Sequence, residues 1–281
     1  MHIVFVGVGA IGLPMAARLV GAGFTVTGVD PAPTAAERAA GTGLTVVPDL
    51  AAAGSADVVV VMVATPEQLD DLVGAATADG LTGRCWIVMS TVGPDAVRAQ
   101  AARLAAAGAA VLDVPVTGGV ARARTGELTL FAAGPAADVD AAAPVLGAMG
   151  TVRRVGTDPG DGQAVKIVNQ HLCSVHLAAA AEALALAGRL GLDRAEVLSL
   201  VEGGAGGSWM LTDRGPRMLA ATDVEVTSTV GIFVKDSGLV ADAAATAGAD
   251  TPLLAAAHDR FLRASRAGLL HRDDSRVIET Y

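Results

Sequence analysis

Lys166 and Asn169 stand three positions apart in Gly160-Asp161-Gly162-Gln163-Ala164-Val165-Lys166-Ile167-Val168-Asn169-Gln170, a helical stretch, so they share one helix face. Apolar flanking residues imply that this lysine is partly withdrawn from water. Desolvation disfavours an ammonium group and prepares a lysine for proton transfer near neutrality, while an adjacent amide orients the group that loses or gains the proton. A second lysine, Lys235, lies in the apolar helical run Phe233-Val234-Lys235-Asp236-Ser237-Gly238-Leu239, where it either touches a bound cofactor or pairs with Asp236. Asp113-Val114-Pro115-Val116-Thr117-Gly118-Gly119 ends a strand in a hydroxyl and two glycines, which together offer donors to a carboxylate without a dedicated basic residue. The same string also reads as a plain glycine turn into a helical segment at Val120–Arg124.

At the other end of the chain, Gly7-Val8-Gly9-Ala10-Ile11-Gly12 follows one apolar run and opens a helix, and Asp30 closes the next run. In that context Gly7 permits a tight turn, Gly9 lets the backbone approach a pyrophosphate and Gly12 allows close helix–strand packing. Val8, Ala10 and Ile11 complete the loop. Asp30 accepts from ribose hydroxyls, and its charge opposes a 2′-phosphate, so NAD is favoured over NADP; Arg38 is near enough in sequence to temper that preference. In an open parallel sheet, ligands meet the carboxyl ends of strands, which makes Ala64, Thr65 and Thr91 further cofactor contacts. Thr91 also suits ordinary helix capping before Pro94.

Positioning these groups takes an α/β fold. Candidate strands at Ile3–Gly7, Thr25–Val29, Asp57–Val63, Cys85–Met89, Ala109–Val114 and Leu128–Ala133 alternate with helical patterns at Ile11–Val20, Thr34–Ala40, Pro66–Val73, Pro94–Ala106 and Ala136–Met149. Strand–helix alternation, with several of the strands apolar throughout, predicts a doubly wound Rossmann sheet over residues 1–160. Beyond it come a long helix, Gln163–Leu190, and helices at Arg194–Val201, Trp209–Ala220, Val230–Ala247 and Pro252–Ala267. Residues 161–281 therefore read as an all-α domain joined through the long helix. Trp209 is a substrate-pocket cap or a buried anchor, and the stretch from His271 reads as a polar tail.

Composition narrows the function classes. Lys and Arg number 20 against 29 Asp and Glu, a net charge of −9, with no basic run for a nucleic-acid or anionic membrane partner. No apolar stretch suggests a membrane span, and the start reads as a first strand and not as a signal peptide. Cys85 and Cys173 have no ligand spacing, as expected of free thiols in a cytoplasmic protein. His171, His176 and His258 suggest no metal site, since the first two stand five positions apart and Asp259 sits on another helix face from His258.

Four separated segments together resemble the β-hydroxyacid dehydrogenase family, which includes 3-hydroxyisobutyrate dehydrogenases, tartronate semialdehyde reductases and threonate dehydrogenases. They are Gly7–Ala16, Asp113–Gly119 continuing to Thr125-Gly126-Glu127-Leu128-Thr129, Gly160–Asn169, and Lys235–Leu239. The resemblance spans nearly the whole chain. It implies that Lys166 is the acid/base and that Asn169 orients a small carboxylate substrate. Thr117, Gly118 and Gly119 would hold the carboxylate, and Thr91 and Lys235 would touch the NAD. It also implies assembly as a homodimer or homotetramer. The sequence departs from the family pattern at Thr117, usually Ser, at Val114, often Ala, and at Ser237, often Leu; the extra methyl of Thr117 reshapes the acid pocket. The stretch from Asn169 to Glu182 and the ending Asp273–Ile278 are most similar to threonate dehydrogenase-like members. Imine reductases share the expected fold but typically lack the lysine, and non-catalytic readers lose it or gain basic appendages; this acidic chain has Lys166 in place.

Overall fold

The computed structural model of the chain describes residues 1–78, 83–220 and 224–281. Two compact units make it up, residues 1–166 and 167–281.

The first unit is built on nine strands: β1 (His2–Val6), β2 (Thr25–Val29), β3 (Thr45–Val47), β4 (Val58–Val61), β5 (Cys85–Val88), β6 (Ala110–Asp113), β7 (Val116–Thr117), β8 (Leu128–Ala133) and β9 (Gly150–Gly156). The first six pair in parallel in the order β3-β2-β1-β4-β5-β6, the doubly wound arrangement that places ligands at the strand carboxyl ends. β8 runs antiparallel to β6 and β7, and β9 pairs in parallel with β8. Successive residues of each central strand feed opposite faces. Ile3, Phe5, Val58, Val60 and Ile87 join one apolar cluster; Val4, Val6, Val59, Val61 and Trp86 join the other. Both faces are covered, which is why β4 is an unbroken valine run.

The helices of this unit are α1 (Gly12–Gly21), α2 (Ala35–Arg38), α3 (Leu50–Ala53), α4 (Pro66–Ala78), α5 (Pro94–Ala106), α6 (Gly119–Thr125) and α7 (Ala136–Gly147). Next comes α8 (Asp161–Arg189), whose first turns belong to the first unit and whose remainder belongs to the second. The sequence pattern changes where α8 begins, and the division of the structure falls inside that helix. Four elements were not expected: β3, β7 and α3 are two to four residues long, too short to show a period, and β9 carries Arg153 and Arg154 exposed at the sheet's margin. Among the described residues α8 alone is long and apolar enough, by length and composition, to cross a membrane, contrary to the reading of the sequence. A helix at the centre of a water-soluble domain meets the same criterion. Here α8 also carries buried Gln163, Lys166, Gln170 and Ser174.

The second unit is helical: α9 (Arg194–Val201), α10 (Trp209–Leu219), α11 (Val230–Ala247) and α12 (Pro252–Ala264) accompany α8. Leu177, Ala181, Leu184, Phe233, Phe261 and Val277 meet in its core. The residues from His271 are not a tail. Asp273–Ile278 are buried, and Asp274–Thr280 form a short 3-10 helix. Arg214 Nε lies 2.9 Å from Asp274 Oδ1, and Arg217 Nη1 lies 2.9 Å from Asp273 Oδ2. The arginines sit three apart on one face of α10, so they neutralise two carboxylates that looked destined for water, while Val277 and Ile278 enter the core.

Candidate active site

The glycine loop between β1 and α1 has the shape its sequence demands. Gly7 has φ of 88°, and a Cβ there would come 2.4 Å from the Met62 carbonyl oxygen; at Gly12 a Cβ would stand 1.9 Å from the Gly7 carbonyl oxygen. A Cβ on Gly9, by contrast, would meet no protein atom within 4 Å, so its backbone stays open to a phosphate arriving from outside. Asp30, at the end of β2, accepts from Val8 N–H at 3.1 Å and from Ala32 N–H at 2.9 Å, which fixes its carboxylate beside the loop. Arg38 Nη2 lies 3.9 Å from Asp30 Oδ2, and Arg38 Nη1 donates to Thr34 Oγ1 at 2.7 Å. After β4, Ala64 N–H is taken by Gln68 Oε1 at 2.8 Å, and Thr65 Oγ1 accepts from Gln68 N–H at 3.2 Å. The start of α4 is thereby closed on itself. These residues fit a dinucleotide: a phosphate-sized approach at Gly9, a helix N-terminus behind it, and a carboxylate where the ribose falls.

The strand ends beyond β4 are tied together by a group that the sequence reading passed over. Gln163, in the first turn of α8, is fully buried. Its Nε2 donates to the Ser90 carbonyl at 2.9 Å and to Asp113 Oδ1 at 3.0 Å, while its Oε1 accepts from Val92 N–H and Gly93 N–H, both at 3.1 Å. Asp113, at the end of β6, in turn accepts from Gly160 N–H and Gln163 N–H through Oδ2, each at 2.9 Å, and so caps α8. Burial pushes the Asp113 carboxyl above the ordinary carboxylate range, against the pull of these hydrogen bonds. Gly162 permits the close seat of the helix, since a Cβ there would reach 2.7 Å from the Phe131 carbonyl oxygen. The only signal in the sequence was Gln163's place one turn before Lys166 on the same helix.

Thr91 lies inside this clamp, between Ser90 and Val92. It does not cap α5: the capping position is Gly93, with no side-chain bond. Lys166 is 7% exposed, as its desolvation required, but its surroundings on the helix differ from expectation. Gln163, Lys166 and Gln170 form a buried polar stripe, while the apolar neighbours Ala164 and Val168 turn outward. Thr117 is on β7, and Gly118 and Gly119 open α6 with φ of 133° and 69°. Arg122 and Arg124 on α6 are exposed.

In the second unit Asn169 Nδ2 donates to Gln170 Oε1 at 2.8 Å and to Cys173 Sγ at 3.4 Å. Gln170 Nε2 donates to Asp236 Oδ2 at 2.5 Å, and Lys235 Nζ lies 2.7 Å from Asp236 Oδ1. Lys235 therefore pairs with its neighbouring acid, and a chain of polar contacts links it to Asn169. Trp209 is not a buried anchor: it is 48% exposed, with the Arg214 guanidinium 5.6 Å from its ring centroid. Ser237 lies 2.7 Å from His258 Nδ1, which explains how a hydroxyl fits at that buried position. Neither Cys85 nor Cys173 forms a disulfide.

A doubly wound sheet with an open phosphate loop is the architecture of a dinucleotide-binding protein, and a helical unit follows it along a helix that carries a buried lysine. Residues 2–158 match the NAD binding domain of 6-phosphogluconate dehydrogenase, and residues 160–281 match the NAD-binding family of NADP-dependent 3-hydroxyisobutyrate dehydrogenase. The chain is 42% identical to L-threonate dehydrogenase of Cupriavidus necator over 98% of this chain and 94% of that protein. Its fold is similar to 3-hydroxyisobutyrate dehydrogenase from Salmonella typhimurium, with a TM-score of 0.91 at 36% identity and 100% of both chains covered. An imine reductase from Streptomyces aurantiacus shares the fold alone, at TM-score 0.68 and 24% identity over 99% of each chain. The chain belongs to the β-hydroxyacid dehydrogenase family. It is an NAD(P)-dependent dehydrogenase that moves a hydride to or from a small 3-hydroxy acid.

Proposed function

We propose that this enzyme oxidises a small polyhydroxy acid of the L-threonate type, with NAD preferred and Lys166 as general base. Bound NAD supplies the hydride acceptor at its nicotinamide. The chain's own residues do the rest. Lys166 takes the hydroxyl proton as the carbon–hydrogen bond breaks, and in the reverse direction it returns that proton to the developing alkoxide. Thr117 and the Gly118 and Gly119 amides hold the carboxylate, and Trp209 contributes to the substrate pocket. Gly7 to Gly12, Asp30, Ala64, Thr65, Thr91 and Lys235 bind the cofactor; Ala64 and Thr65 act by shape, since their polar groups already serve α4.

The observation that carries this reading is a lysine buried to 7% exposure on a helix whose start is stapled to the carboxyl ends of β5 and β6, where a doubly wound sheet meets its ligand. The preference for L-threonate is supported by the 42% identity to an L-threonate dehydrogenase, and Asn169 is the side chain that would orient the substrate hydroxyl. Its amide hydrogens are directed at Gln170 and Cys173, so its Oδ1 is the atom left to accept from a substrate hydroxyl. We also infer self-association in the cytoplasm. Val168, Leu172 and Leu186 of α8, with Leu190 just past its end, are exposed apolar residues suited to a second copy; sedimentation equilibrium reads the subunit number.

The test is NADH formation by the wild type and Lys166→Ala with L-threonate and 3-hydroxyisobutyrate. The expected result is turnover with L-threonate as the better substrate, a loss of kcat of about a hundredfold or more in the variant, and unchanged NAD binding. Wild-type binding of NAD without turnover of any hydroxy acid, or a variant with normal kcat, would overturn the assignment.

A further inference from the structure

We propose that Gln163 is a positioning residue for hydride transfer: it fixes the spacing between the Thr91 loop and Lys166. The inference rests on the functional reading above and adds a residue to it. A fully buried primary amide is stable only when its donors and acceptor are used, and all of Gln163's are. What it uses them on is specific. Asp113 already caps α8 through Gly160 N–H and Gln163 N–H, so the helix does not need the Gln163 side chain to be closed. The amide instead reaches across to residues 90–93. There it supplies the acceptor for the first N–H groups before α5, a helix whose own capping residue, Gly93, has no side chain to offer.

One side chain therefore holds both ends of the loop that carries Thr91, from a point one helical turn before Lys166. Any displacement of that loop moves the turn bearing the lysine, and an error of about 1 Å in such a distance costs on the order of a hundredfold in rate.

Two substitutions separate positioning from mere packing. Gln163→Met keeps the volume and removes all four side-chain bonds. Gln163→Glu keeps the acceptor for Val92 and Gly93, but it must carry a proton to donate to Asp113, 3.0 Å from the present Nε2. The charged groups near this position are Asp113 at the end of β6, Asp161 and Lys166 on α8, and Arg98 of α5 against Gly160. Two buried carboxyl groups at that distance share one proton, and losing it sets like charges against each other.

The readouts are kcat and KM for L-threonate across pH, the primary deuterium isotope effect with substrate labelled at the carbon that loses hydride, and the NAD dissociation constant as a check on the folded fraction. Gln163→Met is expected to lose about ten- to a hundredfold in kcat at every pH, with KM within about threefold and a larger isotope effect. Gln163→Glu is expected to work best at the acid end and to lose activity on a rising-pH limb that the wild type lacks. Should one variant fail to fold, the other still decides the matter. A wild-type isotope effect and kcat per folded molecule in Gln163→Met, or a Gln163→Glu profile parallel to wild type, would overturn the inference. Absence of turnover in the wild type would instead sink the functional reading.

Discussion

Replacing Arg214 by Met tests the account of the C-terminal segment. Asp274 is fully buried and receives Arg214 Nε at 2.9 and 3.2 Å and Arg214 Nη2 at 3.0 Å; Arg217 Nη2 is 3.8 Å away. Met retains the arginine's apolar stem but withdraws three charge-assisted hydrogen bonds made by two donor groups, leaving a carboxylate in the interior with a distant cation. Breaking a buried pair in this way costs about 3–5 kcal/mol, a large share of the roughly 5–15 kcal/mol that holds a domain together. The pair Arg263–Asp259 serves as the control, because its side chains are 58% and 52% exposed and such pairs are worth about 0–1 kcal/mol. Urea unfolding followed by circular dichroism gives the free energies. Fluorescence adds a local probe, because Trp209 lies under the Arg214 guanidinium and Trp86 is buried in the other unit. The double variant Arg214→Met, Asp274→Leu is expected to recover much of the loss, since the orphaned charge is the costly element. A loss below about 1 kcal/mol in Arg214→Met, or a double variant less stable than the single one, would refute the reasoning.

Gly12→Ala is expected to lower stability by about 1–3 kcal/mol through the clash with the Gly7 carbonyl, whereas Gly9→Ala leaves the melting temperature near wild type but weakens NAD binding. Equal effects of the two on melting would contradict this division of labour. Asp30→Ser is expected to weaken NAD about tenfold and to narrow the gap to NADP, because it removes the carboxylate and leaves Arg38 without that partner; fluorescence titration with both cofactors measures the ratio, and an unchanged ratio counts against Asp30. Burial raises the Asp113 carboxyl above its ordinary 3.8, so between that value and its folded value the native state holds a proton that the unfolded chain has lost. Its contribution to stability therefore falls as pH rises through that window and is level above it. The stability of wild type relative to Asp113→Asn, measured by urea unfolding, should decline over the same range, and a rising difference would show the sign to be wrong.

What could be read from the residues and what could not divide along a physical line. The doubly wound sheet was legible because β1, β4, β5 and β6 feed apolar residues to both faces and alternate with helical stretches. The long helices were legible because α5, α9 and α11 have uninterrupted helical sequences with Pro, Asp or Thr at their starts. Local chemistry of this kind needs only a residue and its neighbours. Gln163 and the C-terminal segment are different, because their partners lie far along the chain. Gln163 meets residues 70 to 73 positions away, at Ser90, Val92 and Gly93. Asp274 meets an arginine 60 positions away. A polar residue reads as solvated until its partner is known, so Asp273-Asp274-Ser275-Arg276 reads as a tail and Gln163 attracts no reading of its own. Both are buried because long-range pairing satisfies their polar groups, and only the folded backbone specifies that pairing. The same reasoning separates the roles within the site. Lys166 stood out as a candidate because burial would give a lysine chemistry of its own, whereas Gln163 has no intrinsic reactivity. Its contribution lies entirely in the two strand ends and one helix turn that it holds at a fixed distance.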